Sequence, residues 1–505
     1  MARHGCRLSN SSKTFPCFQF EFVTKPDNNR GDHIHGGVER VIKKRKHGEE
    51  QPYWPLGPFK VRLPLVHYRL EPIEAIQALI IFVVALGMIP LLERYLGLPY
   101  DVALAFVFVS ALGFLLPSLL GVPMVPGWIT PAIPVVLLFL GNFEPGSDAI
   151  KALIALQLIV TLIFFVLGVT RLGSKLVDVI PQSMKAGILM GAGIAAFSGE
   201  IGEGGRLAAT PISLTIGFVI TAYMLFSQSF LRMTETNRWA RAFSSYGMVP
   251  GAIAAMAIGW SLGEYPLPEI EYGFTQPAFA EMWNYLPFSI GMPTANMFLL
   301  AVPTAVIAYI IAFGDIIVGK SVLARVDHLR PDEDIDVDVD RVHLVTGIRN
   351  LIHSFFAPFP GLAGPLFTGV MVTMAERYRY GRRAMDSIYS GAGTFYFVLL
   401  LALFALPLVT LFKPVLPIAL SITLLVTGYL CVSVAADEMK NNTQMGVAGT
   451  MGIVLATYGA AWGLVAGLVL YFLLEWRSDS DEDPAEAEPQ SQGAADLAPH
   501  QDRVD

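Results

Sequence analysis

Cysteine is almost missing from this chain of 505 residues, which holds only Cys6, Cys17 and Cys431. None stands at a metal-ligand spacing, so neither a disulfide framework nor a zinc site is expected, and no metal or organic cofactor is implied. Charge is scarce as well, with Asp, Glu, Lys and Arg making up 15% of the residues. A soluble protein of this size needs far more charge to cover its surface, which excludes a soluble globular chain. The formal net charge of −7 rests mostly on two acidic segments, and no nucleic-acid partner is expected. The first seventy residues are polar and the first apolar run has full span length, so no cleavable signal peptide is expected. Nothing reads as an ATP-binding cassette or a catalytic triad, which disfavours a pump or an enzyme.

Apolar residues are abundant instead, at 53% of the chain with a mean hydropathy of +0.53. Runs near the bilayer length recur from Ile73 to Trp476, which makes the chain a multi-pass membrane protein with the lipid bilayer as partner. Fourteen spans are expected, at 73–92, 100–120, 123–140, 150–170, 179–198, 210–230, 247–263, 297–319, 343–357, 362–375, 386–411, 415–436, 443–458 and 460–476. With the N-terminus inside, the cytoplasmic connections carry Arg171, Lys175, Arg232, Arg238, Arg241, Arg325, Arg330, Arg341, Arg377, Arg379, Arg382, Arg383 and Lys440. The opposite side carries only Arg94, Lys151, Arg206 and Lys413, and the loop 264–296 has no Lys or Arg. This bias places both termini in the cytoplasm of a plasma or inner membrane. Residues 1–70, with Lys43, Lys44, Arg45 and Lys46, read as a flexible cytoplasmic tail, and 478–505 as an acidic disordered one. The acidic run Asp332–Asp340 lacks the central Gly and terminal Glu of a calcium loop and reads as a solvated linker between the halves.

One motif occurs twice. Val125-Pro126-Gly127-Trp128-Ile129-Thr130-Pro131 in span 3 is echoed by Phe359-Pro360-Gly361-Leu362-Ala363-Gly364-Pro365 at span 10, with every position offset by 234 residues. Val179-Ile180-Pro181 and Val415-Leu416-Pro417 form a weaker echo at an offset of 236. Seven spans separate each pair, and an odd number inverts the second repeat relative to the first. Inverted repeats with interrupted helices mark secondary transporters, with the solute site where the breaks meet. Proline and glycine break the helix, and the exposed backbone must line a protein-walled cavity because lipid cannot satisfy it. The half-helix after each break then points free N–H groups at that cavity, a ready anion site.

Other residues admit two readings. Asp315 is the one acid placed deep in a span, four residues after Ile311; it reads as a proton or sodium coupling site, against a pair with Lys320 or a polar span partner that only fixes packing. Arg349 and His353 stand one turn apart and either coordinate or gate the solute or form a polar face packed on span 8 or the interface. Gly187, Gly191 and Gly193 follow no strand, so close helix packing explains them better than a nucleotide loop.

The ordered set of motifs resembles the nucleobase–ascorbate (uracil/xanthine) permeases and, more remotely, the sulfate-permease and bicarbonate-exchanger families. Glu74-Ala75-Ile76-Gln77-Ala78 with Ile89-Pro90 is similar to their first span, and Val122-Pro123 through Ile133 to their third. Ile180-Pro181-Gln182-Ser183-Met184-Lys185-Ala186-Gly187 is similar to the opening of span 5 and Ala312-Phe313-Gly314-Asp315 to span 8, while Gly347 through Val370 resembles spans 9 and 10. The resemblance implies a core domain (73–172 and 297–412, with the acidic loop 321–342) moving against a gate domain (177–263 and 415–476), and a homodimer through the gate. It also implies a glutamate in span 8 and an acid or amide in span 10; Ile311 and Leu366 stand there instead. An apolar site leaves the edge of a base unpaired, at roughly 1–3 kcal/mol per group. The expected function is therefore secondary-active symport or exchange of a small anionic or polar solute such as sulfate, bicarbonate or a carboxylate. The alternatives are a xanthine/uracil permease and, from another class, a membrane-embedded enzyme or channel-like protein. The expected solute site comprises Gly127, Trp128, Ile129, Thr130, Gly361, Leu362, Ala363, Gly364, Leu366 and Thr368, with Gln77, Ile311 and His353 as further candidates.

Overall fold

A computed structural model of the chain describes residues 45–172, 180–202, 204–237, 239–240, 243 and 248–476. Cys6, Cys17, Lys43, Lys44, Lys175, Val179, Arg238, Arg241 and the acidic tail lie outside the described residues. The fold is mostly helical, and each of the fourteen expected segments holds a helix or helix pair. The first half contains α1 (Pro72–Leu86), α2 (Ile89–Leu96), α3 (Tyr100–Leu119), α4 (Ile133–Leu140), α5 (Ser147–Thr170), α6 (Gln182–Ile201), α7 (Pro211–Phe226) and α8 (Val249–Leu262). The second contains α9 (Ala295–Asp327), α10 (Val339–Phe356), α11 (Thr368–Tyr378), α12 (Ile388–Leu403), α13 (Leu406–Phe412), α14 (Leu416–Glu438), α15 (Asn442–Tyr458) and α16 (Ala460–Leu470). By length and hydropathy, four described helices can cross a membrane, or six if each of two bent pairs is one span. Pro407, at the start of α13, separates that helix from α12, which at 16 residues is too short to cross alone.

The helices pack in two groups. In one, α1 lies on α12, α3 on α10 and α12, α5 on α9 and α10, and α9 on α11. In the other, α6 lies against α14 and α15, α7 against α8 and α14, and α15 against α16. Small residues let α6 approach closely: a Cβ on Gly187 would sit 2.7 Å from Met451 Sδ, and one on Gly193 2.7 Å from the Gly428 carbonyl oxygen. Close packing thus accounts for the Gly187, Gly191 and Gly193 run. The groups meet where α4 touches α6 and α1 touches α14.

The expectation of a loose tail over residues 1–70 fails from Arg45 onward. Strand β1 (Glu49–Glu50) pairs in parallel with β5 (Glu333–Asp334) of the acidic run, and β2 (Trp54–Leu56) forms a hairpin with β3 (Phe59–Val61). The N–H groups of Lys60 and Arg62 donate to the Leu120 and Leu119 carbonyls, supplying partners that the end of α3 lacks. Arg45 is buried and reaches Asp332 (2.7 Å), Glu333 (3.1 Å) and the Asp386 carbonyl (2.9 Å). The acidic run is correspondingly a folded platform rather than a solvated linker. Asp336 pairs with Lys60 and Arg341, Asp332 also with Arg330, and buried Glu333 accepts from Tyr378 and Ser387. Most of these carboxylates are spent on cations contributed by residues 45–62, a strap across this face, and by the helix ends, which is why the run is ordered.

Arg45→Ala is expected to destabilise the protein by about 3–5 kcal/mol, because Glu333 then stays buried without its ion partner. Thermal unfolding of the purified protein checks this. Hydrogen bonding to Arg330, opposed in part by burial, holds Asp332 down at about 2 from its ordinary 3.8. The stability this group contributes is complete above pH 4 and is lost as pH falls toward 2. Asp332→Asn should flatten that part of the pH–stability curve.

Candidate functional site

The two Pro-Gly breaks meet. Pro126 has no N–H to continue a helix, and Gly127–Trp128 runs extended as β4. In the second break α10 ends at Phe356, Leu362 sits at φ +44°, and Ala363–Gly364 runs extended as β6. A leucine in the left-handed region is uncommon and strained, and it persists only where surroundings hold it. Strands β4 and β6 pair antiparallel, with Gly127 opposite Gly364 and Trp128 opposite Ala363. The Phe367 N–H donates to the Val125 carbonyl at 2.7 Å, and the Ile129 N–H to the carbonyls of Gly361 (3.1 Å) and Leu362 (3.2 Å). Each break is therefore the hydrogen-bond partner of the other, which satisfies backbone that lipid could not.

Side chains from three helices fasten this crossing. From α10, Arg349 donates to the carbonyls of Gly364 (2.7 Å) and Gly127 (3.3 Å). Its neighbour Asn350 donates to the Ala363 carbonyl and accepts from the Ala363 N–H, both at 2.9 Å. Gln157 on α5 donates to the Phe359 carbonyl at 3.2 Å, and the Tyr396 hydroxyl on α12 donates to the Pro126 carbonyl. Trp128 stacks on Phe359 with centroids 4.4 Å apart, and Phe114 meets Trp128 edge-on at 4.6 Å. Sequence reasoning missed Asn350, Gln157, Tyr396 and Phe114. Of the two readings open for Arg349, the structure gives neither alone: its guanidinium spans both strands of the crossing.

A cavity of about 80 Å³ opens beside the crossing, large enough for a few water-sized groups. Gly127, Trp128 and Thr130 line it from the first break and Phe367 from the second. Phe114, Tyr396, Met88, Leu420 and Thr423 complete much of the wall, so α14 of the second helix group closes it. The Thr130 hydroxyl donates to the Trp128 carbonyl at 3.4 Å and that of Thr423 to the Ala419 carbonyl at 2.7 Å. The lining is otherwise apolar, and the start of α4 follows directly from it.

The expected site residues therefore divide. Gly127, Trp128 and Thr130 line the cavity. Ile129, Gly361, Leu362, Ala363 and Gly364 are buried in the crossing itself. Leu366 is buried, and a Cβ added to Gly319 of α9 would come within 3.2 Å of its Cδ1. Ile311 is buried on α9, whereas Thr368 is exposed at the start of α11 and Gln77 half-buried on α1; neither Thr368 nor Gln77 lines the cavity. His353 is buried with no hydrogen bond at either ring nitrogen, 5.8 Å from the Trp128 ring by centroids. Asp315 is half-buried on α9 and forms no ion pair with Lys320, so the packing alternative built on that pair lacks its contact.

Paired broken helices in a helical, strongly apolar chain define a membrane transport protein. Residues 71–363 match the family model of the xanthine/uracil permeases, described as the Permease family. The chain belongs to this family and is a multi-pass membrane transporter. Among solved structures it is similar to the transmembrane domain of a cyanobacterium bicarbonate transporter, BicA, at 16% identity and a TM-score of 0.49, covering 78% of this chain and 96% of that one. It is also similar to SLC26A9, at 16% identity and 0.49, covering 79% of this chain and 64% of that one. The murine Solute Carrier 26 family member A9 anion transporter, in the inward-facing state, gives 16% and 0.47, covering 80% and 69%. No curated protein matches.

Proposed function

We propose that this permease carries a small anion, such as sulfate, bicarbonate or a carboxylate, by secondary active transport coupled to protons or sodium. The observation that carries the reading is the antiparallel pairing of the two Pro-Gly breaks beside a small apolar cavity, with a half-helix starting from each. In this reading the chain forms fourteen spans as two inverted repeats. The helix group holding the crossing is the core, and the group of α6, α7, α8, α14, α15 and α16 is the gate through which two copies pair. The cavity between them is the solute site, lined by Gly127, Trp128, Thr130 and Phe367 of the two breaks, and movement of core against gate exposes it to either side.

Family membership favours a nucleobase as the second reading. Against it stand the apolar Ile311 and Leu366 where the resemblance implies hydrogen-bonding acids or amides. Uptake into proteoliposomes against sulfate, bicarbonate, succinate and uracil, each with an imposed pH or sodium gradient, separates the two. Saturable, gradient-driven uptake of one of the anions is expected. Saturable uptake of uracil alone would make the protein a nucleobase permease.

Both termini are proposed to lie in the cytoplasm and loop 264–296 outside, because that loop has four Glu and no Lys or Arg. Thr275 is a poor labelling site: it is buried and its N–H donates to the Phe404 carbonyl at 3.0 Å. Tyr272 is 86% exposed. In a background with Cys6, Cys17 and Cys431 replaced, Tyr272→Cys should react with an impermeant maleimide added to intact cells. Reaction at Asp336→Cys under the same conditions, with Tyr272→Cys protected, reverses the orientation.

A further inference from the structure

Arg349 is fully buried and, among the described residues, faces no carboxylate. Two of its donors are taken by the Gly364 and Gly127 carbonyls, its guanidinium lies 4.7 Å over the Phe114 ring, and its Nε–H has no acceptor. Carbonyl dipoles and a ring face soften a buried positive charge without cancelling it. Within a membrane protein such a charge is costly unless a partner neutralises it. The nearby polar side chains offer none: Asn350 is neutral and committed to Ala363, and His353, one turn on, accepts and donates nothing.

The charge sits one backbone layer behind the cavity. Gly127 and Phe114 both touch Arg349 on one side and line the cavity on the other. With apolar walls, the field of the guanidinium reaches across that layer weakly screened. We infer that Arg349 is the specificity-determining charge of this permease, selecting a small anion over a neutral solute by serving as its counter-charge through the crossing. The fork across Gly127 and Gly364 gives it a second, positioning role. This rests on the anion reading proposed above. It adds that selectivity comes from one side chain outside the cavity wall, rather than from helix N-termini alone.

The test uses the full-length protein in proteoliposomes with radiolabelled sulfate, bicarbonate, succinate and uracil. Arg349→Lys keeps the charge and should hold KM for the transported anion within about threefold. Arg349→Gln keeps a donor but removes the charge, and should raise that KM at least tenfold while the anion-to-uracil preference falls by a similar factor. His353→Glu leaves the guanidinium and its fork in place but supplies an internal counter-ion at helical spacing, replacing a side chain that makes no hydrogen bond. It should fold at least as stably as the parent and lose anion uptake to the same extent, which covers the case of an Arg349→Gln chain that fails to fold. Unchanged anion KM and preference in His353→Glu, or equal KM losses in Arg349→Lys and Arg349→Gln without a change in preference, would overturn the inference. Absence of anion uptake by the parent protein would instead remove the proposed function itself.

Discussion

Replacing Gly127 with alanine is expected to reduce uptake to background while the chain still inserts in the membrane. A Cβ at this position would stand 2.5 Å from the Leu366 carbonyl oxygen, 3.0 Å from its carbon and 3.1 Å from Phe367 Cα. All three are backbone atoms, so no rotamer change relieves the clash, and the two strands must separate. Separation strains the Phe367-to-Val125 and Arg349-to-Gly127 hydrogen bonds and opens the wall that Gly127 and Phe367 share. Overpacking costs about 1–3 kcal/mol, and each buried hydrogen bond lost adds about 1 kcal/mol. The thermal midpoint should therefore fall by several degrees, but the helices away from the crossing keep their own packing. Gly446→Ala is the control, because a Cβ there meets nothing within 4 Å, and it should leave both midpoint and uptake unchanged. Gly364→Ala, with backbone atoms of Trp128 and Ile129 at 2.8 and 2.9 Å, should reproduce the Gly127→Ala result from the opposite strand. Normal uptake by both variants would show that the crossing is not where the solute passes.

The crossing was legible because its residues act through the backbone. A proline cannot continue a helix wherever it stands, and two Pro-Gly-x-x-x-Pro runs at one offset reveal paired breaks without knowledge of their neighbours. The strap was not legible for the opposite reason. Residues 45–70 have the composition of a tail, and their order comes from partners far along the chain: Arg45 and Asp332 are 287 positions apart. Ion pairs of that separation leave no local periodicity. Arg349 shows a third case. Its type and span were plain, yet nothing local says that a guanidinium on α10 meets the carbonyls of both breaks. Thr368 was misjudged from its place in the motif, since a position at a half-helix start fixes the backbone direction but not which side the residue presents. The helix segments themselves were recovered well, because hydropathy tracks apolar runs whether or not a proline divides them.

Asp315→Asn is expected to abolish concentrative uptake while leaving expression, thermal stability and solute exchange intact. The carboxylate lies on α9 one turn beyond Ile311, half-buried, with no hydrogen bond or ion pair to a described residue. Its removal therefore breaks no structural contact, unlike the loss of Glu333 or Asp332 from the strap platform. The helix carrying it also touches α6 and α16 of the second group, so the residue sits on an element common to both groups. Asparagine keeps the shape and an acceptor oxygen but carries no proton and is a weaker sodium ligand. If one proton moves with each monovalent anion, a gradient of one pH unit supports about tenfold accumulation. The variant should then equilibrate the solute to a ratio near one, while counterflow with preloaded vesicles continues. Leu366→Glu is the companion, since a carboxylate beside the second half-helix repels an anion entering there, and it should weaken uptake and exchange together. A coupling site loses accumulation alone; a binding site loses both. Undiminished accumulation by Asp315→Asn would remove the carboxylate from coupling altogether, and loss of exchange as well would make Asp315 part of the solute site.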